Sequence, residues 1–214
     1  MQRSFDATVQ HLTFDVREKE ALLKKLSSLE GAWSQVDILI NNAGLAMGKD
    51  LINEGKIEHW ETMIDTNVKG LLYMTRAISP NMVKRKKGHI INVCSTAGKE
   101  VYTNGNVYCA TKHAVDALTK GMRLDLYKHN IRVGQISPAM VESTEFAKVR
   151  FEGDKKKANI YSDFNPLTSD DVADAIYYMA TRPPHINIQD VVLMGTQQAN
   201  STNVNRNGRI FDES

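Results

Sequence analysis

The chain has 214 residues, of which 42% are hydrophobic and 24% charged, and its formal net charge is +2. These values predict one globular domain over residues 1–214 and disfavour a nucleic-acid-binding or membrane surface. Cys94 and Cys109 lack the spacing of a metal site or a disulfide framework, so we expect a protein without a metal. Neither a transmembrane stretch nor an apolar signal core is present, so we expect a cytoplasmic protein.

Strand and helix patterns alternate along the chain, which predicts an α/β fold with a parallel sheet. Short apolar runs mark the strands, at residues 9–14, 36–40, 89–93, 132–136 and 191–194. Apolar residues at helical spacing mark helices after residue 15, at 57–83, at 107–127 and at 169–180. Pro80 predicts a break or kink in the second helix. The long polar connection over 138–168 predicts a functional lid or a partly helical segment.

Tyr108 and Lys112 lie four residues apart in a predicted helix, so the phenol and the ammonium share one face. A phenol titrates near about pH 10 in water, and a nearby cation lowers that pKa because it favours the phenolate. A tyrosine made acidic in this way can exchange a proton with an oxygen during carbonyl/alcohol interconversion. The same spacing also occurs in ordinary amphipathic helices, so the pair gains its weight from the motifs around it.

Further motifs follow one another along the chain. They are Phe14-Asp15-Val16, Asn41-Asn42-Ala43-Gly44, Asp65-Thr66-Asn67, Ser95, Tyr108 with Lys112, and Ser137-Pro138-Ala139-Met140-Val141. In this order they resemble the short-chain dehydrogenase/reductase family, from its third strand to its end. Residues 61–67, 105–108 and 149–151 are similar to one branch of it, the NADP-dependent 3-hydroxy acid (serine or allo-threonine) dehydrogenases.

This resemblance implies a Rossmann-like doubly wound parallel sheet and an oxidoreductase that works as a homotetramer in the cytoplasm. The implied reaction is 4-pro-S hydride transfer between NADP and a small 3-hydroxy acid, or a related alcohol or carbonyl compound. NAD is not excluded, because the segment that selects between the two cofactors is not found in the sequence. The implied partners are small molecules, with no nucleic acid and no membrane.

The resemblance also implies a catalytic set. Tyr108 acts as acid/base, Lys112 lowers its pKa and binds the nicotinamide ribose, and Ser95 hydrogen-bonds the substrate oxygen. Asn67 holds a water in a proton relay behind Lys112. A serine that simply ends a strand is the alternative for Ser95, whereas an asparagine inside a helix indicates a special role because its helix propensity is low.

Two groups of residues are implied to contact the adenosine half of the cofactor. Asp15 accepts from the adenine amino group, with Val16 beside the ring. Asn42, Ala43 and Gly44 line the adenosine ribose, where small residues let the cofactor lie close to the backbone, and the Asn-Asn-Ala-Gly run stabilises the central sheet. The alternative for Asp15 is an N-cap of the following helix.

The nicotinamide half is implied to lie in the loop Pro138, Ala139, Met140, Val141, with Thr144 or Ser143 at its carboxamide. Ala139 departs from the family pattern, which has glycine there, and would be strained if the position required a positive φ. Arg150 is our candidate for the substrate carboxylate, because a planar guanidinium suits bidentate pairing. A solvated surface arginine is the alternative.

The sequence contains no G-x-x-x-G-x-G turn, which in this fold holds the cofactor pyrophosphate. We therefore expect a Rossmann-like sheet that lacks the first βαβ unit, with the strand at 36–40 as an unpaired edge. Two functions stay open: the oxidoreductase, or a catalytically silent truncated fragment or interaction subunit that keeps the catalytic residues. A sugar epimerase with the same Tyr-x-x-x-Lys motif requires a larger C-terminal domain than this chain provides.

Overall fold

The structure is a computed structural model that describes residues 8–154 and 159–212. Four parallel strands form one sheet in the order β1-β2-β3-β4. Their bounds are β1 Ile38–Asn41, β2 Gly88–Val93, β3 Ile131–Pro138 and β4 Asp190–Leu193. The predicted strands at 36–40, 89–93, 132–136 and 191–194 are confirmed to within a few residues.

The helices flank this sheet. They are α1 Lys19–Ser27, α2 Ile57–Ile64, a π-helix Asp65–Gly70, α3 Leu71–Arg85, α4 Asn106–Leu126, α5 Phe146–Arg150 and α6 Ser169–Thr181. Short 3₁₀ turns occupy Gly31–Ser34, Thr96–Gly98 and Tyr127–His129. The connection over 138–168 is therefore partly helical, as one of its two interpretations predicted.

Helices cover both faces of the sheet. On one face, Met82 of α3 and side chains of α4 pack on Ile90 and Val133, which are fully buried. On the other face, Met179 of α6 packs on Ile91 and Ile136. Because successive side chains of a strand point to opposite faces, the neighbours Ile90 and Ile91 serve the two cores separately. The doubly wound α/β architecture is confirmed.

The strand predicted at 9–14 is wrong, and so is the break at Pro80, while a kink at Pro80 stays a prediction. Residues 9–14 form no strand, because in the described part of the chain no neighbouring strand is available to pair with them. Pro80 does not break its helix, since α3 runs through it to Arg85. The irregular segment lies earlier, at the π-helix Asp65–Gly70, where the helix carries Asn67.

Strand β1 forms an edge of the sheet within the described residues. It pairs with β2 alone, and the side chains of Ile38 and Ile40 are each 43% exposed. The predicted unpaired edge is therefore confirmed for this part of the chain.

Candidate active site

The carboxyl ends of the parallel strands bring the distant motifs to one side of the sheet. Asn41 ends β1 and Asn42 to Gly44 follow it, Ser95 follows β2, and Pro138 ends β3. The Ser95 hydroxyl donates to the Pro138 carbonyl over 3.4 Å and accepts from the Ala97 backbone N–H over 3.1 Å. Open α/β sheets bind their ligands on this side, at the carboxyl ends of the strands.

Helix α4 begins at the carboxyl ends of the strands and carries Tyr108 and Lys112 on its inner face. Both side chains are buried, and the Lys112 ammonium lies 5.9 Å from the centre of the Tyr108 ring. Lys112 Nζ donates to the Val93 carbonyl over 2.9 Å, which anchors it at the end of β2. The predicted pairing of phenol and ammonium on one helix face is present.

Burial raises the pKa of Tyr108 well above its usual range, and the neighbouring Tyr102 raises it further. A hydrogen bond with Ser95 and the positive charge of Arg150 act in the opposite direction and lower this pKa. The expectation that Lys112 lowers it is not confirmed, because the ammonium is directed at Val93. Burial lowers the pKa of Lys112 itself to about 8.

Asn67 lies in the π-helix and reaches across to the end of β1. Its amide oxygen accepts from the Leu45 N–H over 2.9 Å, and its amide nitrogen donates to the Leu45 carbonyl over 2.8 Å and to the Thr111 hydroxyl over 3.0 Å. A Cβ atom at Gly44 would lie 3.3 Å from the Asn67 amide oxygen and 3.4 Å from the Lys112 ammonium. Gly44 therefore borders both polar groups with no side chain of its own.

The Asn-Asn-Ala-Gly run contributes to the sheet through its first residue. The buried Asn41 side-chain amide donates to the side-chain amide oxygen of Asn92 over 2.9 Å and to the Thr75 hydroxyl over 3.1 Å. Asn92 in turn donates to the Thr119 hydroxyl over 2.8 Å. This chain of bonds ties β1 to β2, α3 and α4, while Asn42, Ala43 and Gly44 are exposed beyond the strand end.

Arg150, at the end of α5, is buried rather than solvated. Its Nε donates to the Gly48 carbonyl over 3.3 Å, and one terminal nitrogen donates to the Tyr102 hydroxyl over 3.2 Å. The guanidinium lies 5.7 Å from the ring centres of both Tyr102 and Tyr108. The alternative of a surface arginine is wrong, and Arg150 borders the same space as Tyr108.

That space is a small cleft, hereafter the Tyr108 cleft. Its wall includes Gly48, His59, Trp60, Tyr108 and Arg150. It is a polar, partly open cavity, so a small charged molecule suits it better than a large apolar one.

The loop after β3 is held by the chain on both sides of it. The Ala139 N–H donates to the Leu193 carbonyl over 2.9 Å, and the Met140 N–H donates to the Gln198 side chain over 3.1 Å. Val141 forms a bridge with Leu167, and the Thr144 hydroxyl accepts from the Phe146 N–H over 3.3 Å. Ala139 does not have a positive φ, so the strain considered for it does not arise; Ser143, with φ +60°, has it instead.

Asp15 and Val16 lie in the segment before α1. The Asp15 carboxylate accepts from the Arg17 N–H over 2.9 Å and pairs with its guanidinium, which lowers the pKa of Asp15. Glu18 is the N-cap of α1, so Asp15 does not cap that helix. A Cβ at Gly70 would lie 2.8 Å from a Val16 methyl group, so this segment packs against the π-helix through a glycine.

The site residues that were not predicted include His59, Tyr102 and Gln198. Tyr102 and His59 contact segments 48 and 93 residues away, so no local pattern marks them. In the described residues, no group of three or more His, Cys, Asp or Glu could hold a metal ion. Over the same ranges, no helix has both the length and the apolar character needed to cross a membrane.

The sequence model of the short chain dehydrogenase family matches residues 1–155. The chain belongs to this family. It is also 47% identical over 194 residues to the NADP-dependent 3-hydroxy acid dehydrogenase YdfG of Escherichia coli K12, which covers 90% of this chain and 78% of that protein. The NADP-dependent 3-hydroxy acid dehydrogenase of Schizosaccharomyces pombe is 39% identical over 207 residues, covering 96% of this chain and 80% of that one.

A solved structure, the closed form of serine dehydrogenase complexed with NADP+, superposes with a TM-score of 0.86 at 47% identity. The match covers 90% of this chain and 78% of that one. The family match and the similarity to these dehydrogenases show that the chain is an oxidoreductase of this family.

Proposed function

We propose that the protein transfers a hydride between NADP and a small 3-hydroxy acid. The observation that carries this proposal is the placement of Ser95, Lys112 and Arg150 beside Tyr108. Tyr108 and Arg150 line one cleft. The tyrosine, the serine and the lysine are a proton-transfer set, and the buried Arg150 cation beside them suits a carboxylate. The names of the similar proteins from Escherichia coli and Schizosaccharomyces pombe support the cofactor and the substrate class.

The residues present fit the nicotinamide side of NADP. Gly44 keeps the approach to the Lys112 ammonium free of a side chain. Lys112 is a donor for ribose hydroxyls, and Asn42 to Gly44 and Pro138 to Thr144 flank it at the strand ends. When bound, NADP supplies the hydride acceptor that no side chain of the protein can provide.

The side chains of the chain itself handle the proton. Tyr108 exchanges its phenolic proton with the substrate oxygen, as a base in oxidation and as an acid in reduction. Ser95 hydrogen-bonds that oxygen and stabilises the charge that develops on it. Lys112 holds a positive charge near the phenol while it is protonated. Asn67, held by Leu45 and Thr111, fixes the wall behind Lys112, where we propose a relay water.

Arg150 orients the substrate. Within residues 8–154 and 159–212, its hydrogen bonds to Gly48 and Tyr102 use one N–H on each of two nitrogens, which leaves further N–H groups of the guanidinium for a carboxylate. A carboxylate bound there places the rest of a short hydroxy acid against the Tyr108 hydroxyl. Such fixed orientation is a large part of what an enzyme contributes to a reaction between two small molecules.

We further propose one domain over residues 1–214, a homotetramer, and a cytoplasmic location. Apolar side chains exposed along α3 and α4 support assembly, among them Leu72 at 37% and Leu124 at 73% exposure. Light scattering after size exclusion measures the assembly. A monomer at micromolar concentration would remove this part of the proposal.

The experiment for the activity is the NADP-dependent oxidation of 3-hydroxy acids, followed by NADPH absorbance. We expect turnover by the protein and less than a few per cent of its kcat in Tyr108→Phe, because the ring stays and only the transferable proton is lost. Cofactor affinity should change less than about twofold. No turnover of any 3-hydroxy acid, or a Tyr108→Phe variant with substantial kcat, contradicts the proposal.

A further inference from the structure

His59 has a buried ring nitrogen that nothing in the described residues satisfies. The side chain is 8% exposed, and its Nε2 lies 3.3 Å from a carboxylate oxygen of Glu152. A carboxylate can only accept, so Nε2 carries the hydrogen, and in the neutral imidazole Nδ1 is then an acceptor. Nδ1 is buried and has no hydrogen-bond partner in residues 8–154 and 159–212. A buried acceptor without a donor is costly, which points to a donor that arrives with a ligand.

The Asp50 carboxylate is a second hydrogen-bond acceptor near His59 Nδ1. A Cβ atom at Gly48 would lie 2.7 Å from the Asp50 carboxylate and 3.1 Å from His59 Nδ1. Both atoms therefore border the space that the missing side chain of Gly48 leaves open. Within the described part of the chain, the Asp50 carboxylate has no hydrogen bond or ion pair. All three residues line the Tyr108 cleft.

Arg150 lines the same cleft with the opposite charge. The Gly48 backbone joins the two sides, because its N–H donates to the Arg150 carbonyl over 2.9 Å and its carbonyl accepts from Arg150 Nε over 3.3 Å. Tyr108 also lines this cleft. The cleft thus presents hydrogen-bond donors at Arg150 and acceptors at Asp50 and His59, next to the catalytic phenol.

We propose that Asp50 and His59 bind an ammonium group on C2 of the substrate while Arg150 binds its carboxylate. The two residues then determine specificity, favouring a 2-amino-3-hydroxy acid over the same acid without the amino group. This assignment rests on the proposed oxidation of 3-hydroxy acids and adds to it the groups that recognise C2.

The test compares serine with 3-hydroxypropionate, which differ only in the 2-amino group. We expect Asp50→Asn and His59→Leu each to raise KM for serine at least tenfold, with KM for 3-hydroxypropionate changed less than twofold. His59→Gln, which keeps a polar group, should lie between the protein and His59→Leu. Glu54→Gln is the matched control, because it removes an acidic charge from the same loop outside the cleft; both KM values should stay the same.

Other outcomes overturn the assignment. Equal rises in KM for both acids mean that His59 acts through Glu152 and the position of Arg150 instead. Unchanged KM values for both acids mean that neither residue touches C2.

A binding measurement separates this failure from failure of the proposed reaction: Trp60 lines the cleft, so in a Trp33→Phe background its fluorescence reports ligand binding without turnover. Serine should bind more weakly after Asp50→Asn than before, and equal binding also overturns the proposal.

Discussion

The guanidinium of Arg150 lies 5.7 Å from the centre of the Tyr108 ring, although the two residues belong to different helices. The ring of Phe146, one helical turn before Arg150, also contacts Tyr108, edge-on at 5.8 Å. Helix α5 is therefore packed onto the catalytic tyrosine through two of its side chains. A segment that connects a strand to a helix thus forms part of the active-site wall.

Arg150→Leu should raise KM for a 3-hydroxy acid by tens-fold and leave KM for an uncharged alcohol of similar size nearly unchanged. The lost interaction is a charge-assisted pair with the substrate carboxylate, worth about 2 kcal/mol. Steady-state kinetics on both substrates checks this, with Arg150→Lys as the control that keeps the charge but not the planar fork. Equal changes for both substrates would show that Arg150 only supports the fold.

Lys112 makes cofactor binding depend on pH. Burial lowers its pKa to about 8, so the ammonium loses its proton above that pH and donates one hydrogen bond fewer. We expect NADP affinity to fall between about pH 8 and pH 10. In Lys112→Arg, whose guanidinium stays protonated, affinity should be flat over that range. Titration calorimetry at several pH values measures both, and a wild-type affinity independent of pH contradicts the ribose contact of Lys112.

His89 should make the fold sensitive to mild acid. Both of its ring nitrogens are buried without a hydrogen-bond partner in the described residues, and burial, followed by the charge of Arg132, lowers its pKa to about 4. As pH falls below about 6.5, the unfolded chain gains a proton that the folded chain does not bind until about pH 4. Stability is therefore lost across this window, by at most about 3 kcal/mol.

Urea unfolding from pH 7 to pH 4.5 measures that loss. His89→Leu should flatten the dependence, because the titrating group is gone and no hydrogen bond is broken. The exposed His185→Gln is the matched control and should keep the wild-type slope. A His89→Leu variant with the same slope would place the acid sensitivity elsewhere.

Much of the fold follows from local sequence patterns. The four paired strands and helix α4 have apolar periods that match their burial, and the Tyr108–Lys112 spacing places both groups correctly because a helix repeats every 3.6 residues. The strand expected at 9–14 has the same composition but no partner to pair with. A strand exists only through its neighbour, so composition alone cannot predict it.

The site was predicted less completely than the fold. Motif order predicted Ser95, Asn67 and the strand-end loops as site residues, and left the role of Arg150 open between a substrate ligand and a surface charge. Its burial depends on Tyr102 and Gly48, which lie 48 and 102 residues away. His59 and Asp50 face each other across a glycine, and only the folded chain brings the three together.

Gly48→Ala should damage both the fold and the cleft. Gly48 has φ +67°, where an L residue is strained, and its new Cβ would approach the Asp50 carboxylate to 2.7 Å. We expect a loss of about 1–3 kcal/mol in the free energy of unfolding and a raised KM for hydroxy acids. Gly121→Ala is the control with the opposite sign: it lies within α4 with no atom in the way and should stabilise by up to about 1 kcal/mol. Equal stability effects at both positions would contradict the strain at Gly48.

The π-helix Asp65–Gly70 makes the active site depend on a count of residues as well as on their identity. A π turn inside an α-helix amounts to one inserted residue. Removing one residue from this stretch would let the helix close into a regular α-helix, and every position before it would rotate by about 100° relative to α3. Trp60 and His59 would then leave the cleft while α3 stayed packed on the sheet. A change in length at this one point could redesign the substrate wall without altering a single residue that lines it.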